Sequence, residues 1–148
     1  MHISRHVELL LLLLSLAMPV VCYIAAASRG EGARSRPWIW LVALPGVVST
    51  AAFYSLALHM YQRLGEWPRS MGTHMLPPEL VTHFEIAGGA FTFAAILAMV
   101  LPLVLMVFAL VPRLRAQIAY PALCGITVWA GLLSTFLAPS GFLSWWWD

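Results

Sequence analysis

Residues 80–111, LVTHFEIAGGAFTFAAILAMVLPLVLMVFALV, carry one charged side chain, Glu85, close to their start. A helix rises 1.5 Å per residue, so about 20 apolar residues cross the roughly 30 Å hydrocarbon core of a bilayer. In lipid, only a helix satisfies every backbone N–H and C=O within one segment. The run from Leu80 to Val111 is therefore a membrane helix, and it is longer than a bilayer needs. Its first two turns, Leu80 to Ala87, are expected in the interface or above it, carrying His83 and Glu85.

Three further runs have the same character: Val7 to Ser28, Pro37 to Tyr61 and Gln117 to Ala138. The chain is 61% hydrophobic and 9% charged, with a mean hydropathy of +0.86, whereas soluble domains carry about a quarter charged residues. A water-soluble chain of 148 residues cannot hide four such runs in one core. The expected fold is an all-α integral membrane protein, a four-transmembrane-helix antiparallel bundle forming a single domain over residues 1–148. Loops 29–36 and 112–116 join its helices on one side, and the longer loop 62–79 on the other.

Arginine placement orients the bundle, because the chain has no lysine. Arg29, Arg34 and Arg36 lie in one short loop, and Arg113 and Arg115 in the other on the same side. By the positive-inside rule that side is cytoplasmic. The opposite side carries Arg5, Arg63 and Arg69 against Glu8, Glu66, Glu79, Glu85 and Asp148. Both termini are thus expected outside (N-out/C-out), which in a bacterial inner membrane is the periplasm. A cleavable signal peptide is the rival reading of Arg5, the leucine run and Ala25-Ala26-Ala27. The length of the apolar run and the arginines after it favour retention. Val21 before Cys22 argues against a lipoprotein site.

Tryptophans prefer the headgroup level. Trp38 and Trp40 fall at the inner boundary, while Trp67, Trp145, Trp146 and Trp147 fall at the outer one. The terminal Trp145-Trp146-Trp147-Asp148 reads as an interfacial anchor; as a functional alternative, these three indoles and Trp67 form a docking surface for another subunit. Small residues mark helix contacts, since lipid supplies no hydrophobic drive between helices. The expected interior faces are Ala87, Ala90, Ala94 and Ala98; Ala51, Ala52 and Ser55 leading to His59; and Cys124, Thr127, Gly131, Ser134 and Ala138. Gly88-Gly89 reads as a close-packing point. Pro19, Pro45 and Pro102 each remove a backbone hydrogen bond within a span.

Every histidine falls on the outer side: His2, His6, His59, His74 and His83. His59 and His83 end small-residue faces on consecutive antiparallel helices, at similar depth. Facing imidazoles suit axial ligation of a haem b iron, or a divalent metal with Glu79 one turn before His83. The plainer alternative is hydrogen bonding to water, headgroups or neighbouring side chains.

Two cysteines without a C-x-x-C pair disfavour a membrane thiol oxidoreductase. A proton-coupled exporter would need a carboxylate deep in the membrane, yet Glu8 and Glu85 lie near the outer ends. No phosphate-cradling glycine loop or nucleophile elbow is present, and no nucleic-acid partner is expected. The outer loop is a connector, or a lid over the His59 and His83 region. The expected function is a small non-catalytic subunit of a larger respiratory, photosynthetic or transport complex, with the lipid bilayer and other membrane subunits as partners. The alternative is a haem-, quinone- or metal-binding redox protein using His59 and His83.

Overall fold

A computed structural model describes residues 5–29, 39–69 and 76–148, with side chains from Leu12 in the first helix and from Leu41 in the second. Among the described residues every regular element is helical: α1 (Arg5–Ser28), α2 (Ile39–Leu64), α3 (Val81–Leu110), α4 (Ala119–Ser134) and α5 (Ser140–Trp147). Three-residue 3₁₀ turns precede α3 at Pro78–Leu80, precede α4 at Arg115–Gln117 and follow α4 at Thr135–Leu137. Three helices are long and apolar enough to cross a membrane, over Leu41–Leu64, Pro78–Leu110 and Arg115–Leu137. Arg34, Arg36, Trp38 and His74 lie outside the described residues.

Inter-helix contacts set the directions. Pro19 of α1 meets Gly125 of α4, and Ala26 clusters with Ile118, Ala119 and Leu105, so α1 runs against α4 and along α3. Gly46 of α2 meets Thr127, and Thr50 meets Gly131, so α2 and α4 run in the same direction. The α3–α4 pair is shared: α1 and α2 each pack on both its members and lie on opposite sides of it. We call the end holding His59 and His83 the histidine end, and the end holding Arg29, Arg113 and Arg115 the arginine end.

Two glycines hold α4 against α2. A Cβ on Gly46 would collide with the Thr127 carbonyl, and one on Gly131 would lie 2.5 Å from Thr50 Oγ1 and 2.9 Å from the Gly46 carbonyl oxygen. Close backbone approach supplies the packing that lipid does not drive. Pro45 deprives the helix of one N–H immediately before this contact. The Gly46 carbonyl accepts from both Ser49 Oγ (3.0 Å) and Thr50 Oγ1 (2.8 Å), so these hydroxyls are satisfied inside their own helix.

The small-residue reading holds for α3, where Ala87, Ala94 and Ala98 are buried, and for α4, where Cys124 and Gly131 are, with Ala138 buried just beyond the turn that follows it. It fails for α2. Ala51 and Ser55 are exposed, and the buried face is Phe53, Leu56, Ala57 and Met60, rotated around the helix. The reason is the aromatic cluster opposite: Phe53 needs the interior to reach Phe142 and Trp146 at 5.2 and 5.1 Å between ring centroids. Gly88 and Gly89 also depart from expectation, because a Cβ on either meets nothing within 4 Å. Among the described residues they are no close-packing point.

Candidate functional site

The site is built where α2 ends and α3 begins. α2 runs past Tyr61 to Leu64 and closes on Gly65, whose φ of +74° is the left-handed region that glycine enters without strain. Its N–H returns to the Tyr61 carbonyl at 2.9 Å, the αL way of capping a helix. Trp67 then stacks on Tyr61 with centroids 4.7 Å apart. Pro68 is buried, with Gly141 of α5 so close that an added Cβ would lie 2.8 Å from the Pro68 carbonyl oxygen. The loop is thereby tied to α5, and α3 restarts after the proline-led turn at Pro78.

This connection places His59 beside His83. Their Nδ1 atoms are 3.3 Å apart, with ring centroids separated by 5.5 Å and planes inclined by 54°. His83 Nε2 is 2.8 Å from Ser55 Oγ, one helical turn before His59. Ser55 also donates to the Ala52 carbonyl at 3.0 Å. A serine hydroxyl has one proton. Spent on Ala52, it leaves the Ser55 oxygen to accept from His83 Nε2–H. Neutral His83 then presents a bare lone pair at Nδ1, which accepts from His59 Nδ1–H. In that arrangement each ring has one defined tautomer and His59 Nε2 is left as an acceptor.

Glu79 does not join this pair. It lies in the 3₁₀ turn, which winds at three residues per turn and offsets its azimuth from the α-helical face of His83. Its exposed carboxylate lies 3.9 Å from Arg63 Nε, a pairing worth little in water. Among the described residues, no group of three or more His, Cys, Asp or Glu is arranged to hold a metal ion. His2 lies outside the described residues, as does the side chain of His6.

The tryptophans divide. Trp145 is fully buried, 5.7 Å from both Phe84 and Phe142. Trp146 is half-buried among Phe53, Phe84 and Phe91. Trp147 is exposed, touching Phe91 at 5.7 Å between centroids, and Trp67 is half-buried. The terminal indoles therefore lock α5 across α2 and α3, and of the three only Trp147 offers most of its surface outward. Sequence reasoning missed the phenylalanines that receive them and the part of Ser55 in fixing His83. The available signals were the three-residue step from Ser49 to Ala52 to Ser55 on α2 and the seven-residue step from Phe84 to Phe91 on α3.

Chemically, two neutral imidazoles with converging Nδ1 atoms can share a proton or hold a metal between them. Ligands on opposite sides of one metal, with metal–nitrogen bonds of about 2.0 Å, stand about 4 Å apart. The 3.3 Å spacing is shorter, so a haem between these rings requires them to part. Comparison of the chain with protein-family models, with curated proteins and with solved structures gives no match.

Proposed function

We propose that this chain is a small non-catalytic membrane subunit that packs within a larger membrane complex of respiratory, photosynthetic or transport type. It crosses a bacterial inner membrane four times, with both termini on the periplasmic side. α1 has 24 residues, about 36 Å of helix, enough for the fourth crossing. The observation that carries the reading is Gly88-Gly89. Glycine in a helix interior costs about 1 kcal/mol relative to alanine, and small residues in membrane helices serve close backbone approach. Here the two glycines sit in α3 with no contact for an added Cβ among the described residues. On the same stretch of α3, Ala90 and Phe93 border an apolar groove of about 400 Å³ between α2 and α3, lined also by Leu44, Pro45 and Val48 among others. A partner helix seated there, against Ala90 and Phe93, gives the neighbouring Gly89 its contact.

The test is mild solubilisation from the native membrane followed by native mass spectrometry. The expected particle exceeds the 16.3 kDa chain at a fixed ratio of subunits, and Gly89→Leu releases the chain without changing its thermal midpoint. A wild-type chain that leaves the membrane alone overturns the reading.

A second reading, a haem-, quinone- or metal-binding redox protein, is favoured by one observation: the convergence of His59 and His83. A haem b would show as a Soret band lost in His83→Ala.

A further inference from the structure

The geometry points to His59 and His83 as an open two-histidine site for a divalent transition-metal ion of the zinc and copper class, a deepening that rests on the second reading above. Bonds of 2.0–2.1 Å to a tetrahedral centre place neighbouring ligand atoms about 3.3–3.4 Å apart. The two Nδ1 atoms stand 3.3 Å apart, the edge of such a tetrahedron. Imidazole nitrogen suits zinc, copper and nickel better than it suits calcium or magnesium.

A metal-binding histidine gives its other ring N–H to a fixed acceptor, which sets the tautomer and aims the lone pair. His83 has this arrangement: Nε2 faces Ser55 Oγ at 2.8 Å, and Ser55 is itself oriented by the Ala52 carbonyl at 3.0 Å. The Nδ1 that remains is the one aimed at His59. On binding, the His59 proton leaves Nδ1 and the ring takes its Nε2–H form, so each ring reaches the metal neutral and no net charge is lost from the pair. Among the described residues no third side chain closes the centre, and Glu79 is turned toward Arg63. Two coordination positions stay open to water or to a small ligand, one more than in catalytic zinc sites and two more than in structural ones.

The experiment uses the full chain, free of any histidine tag and stripped with chelator, in lipid nanodiscs. Zn²⁺ is titrated calorimetrically, and Co²⁺ by its visible absorption. One ion per chain is expected, with the absorption intensity of tetrahedral cobalt. His59→Ala and His83→Ala should each weaken binding at least a hundredfold, and Ser55→Ala about tenfold, while helical circular dichroism stays at the wild-type level. Binding should also weaken on acidification, since a protonated imidazole has no lone pair to give. No uptake, or uptake unchanged in the His59→Ala/His83→Ala double variant, overturns the inference. A hemin titration in parallel separates the two levels: a His83-dependent Soret shift without zinc binding leaves the ligand-binding reading standing and removes the metal.

Discussion

The two ends of the bundle are held by different means. At the histidine end Phe53, Phe84, Phe91, Phe142, Trp145 and Trp146 interlock with centroids between 5.1 and 6.3 Å, most of them edge to face. At the arginine end the core is Ala26, Leu105, Ile118, Ala119 and Ala122. Beside it opens a groove of about 380 Å³ lined by Cys22, Ala25, Arg29, Ala109 and Arg115 among others. Large rings with few rotamers fix geometry, whereas alanines leave a cleft whose polar rim is two arginines. Arg115 is steadied there by a 2.7 Å bond from Nε to the Ala109 carbonyl. The contrast teaches where positional precision lies: the imidazole pair sits at the end where the helices are locked.

The sharpest way to break this comparison is to attack what both ends hang on. Gly46→Leu drives a side chain into the Thr127 backbone, and backbone cannot swing aside. The expected outcome is loss of the monodisperse folded chain in detergent, read by size exclusion and circular dichroism. Trp145→Ala empties the aromatic end and should cost about 3–5 kcal/mol in a reversible unfolding measurement. Trp147→Ala, at the exposed edge, should stay within about 0.5 kcal/mol. Equal effects of these two would mean that α5 is not locked as described. Tyr54→Phe removes a 2.5 Å hydrogen bond to the Ser134 carbonyl between α2 and α4, worth about 1 kcal/mol. Arg115→Gln, like Trp147→Ala, should stay within about 0.5 kcal/mol of wild type. The same variant sharpens the comparison if paired with reporter fusions at the C-terminus. On the proposed orientation the terminus reports outside, and removing arginines from this end weakens that bias.

Much of the fold was legible because it depends on quantities that survive averaging. The three helices long and apolar enough to cross a membrane follow from long apolar runs, and the approach of His59 to His83 follows from their nearness to the two ends of one short loop. What could not be read was the rotation of each helix about its own axis. A soluble helix declares its buried face by hydrophobic contrast, but lipid and protein interior are both apolar. α2 shows the consequence: size alone points Ala51 and Ser55 inward, while Phe53, Leu56 and Met60 carry the interior. α3 repeats it at Gly88-Gly89, where smallness signals a contact without saying whose. The 3₁₀ turn that holds Glu79 was not legible either, since a three-residue turn of tighter winding leaves no trace in hydropathy.

The arrangement of α1 and α2 on opposite sides of the α3–α4 pair also governs how the chain can be assembled. Synthesis delivers α1 well before its seat, which includes Ile118, Ala119, Ala122 and Gly125. The earlier helix must therefore wait beside a neighbour in sequence that it barely touches, and the bundle can close only once the ribosome has finished α4.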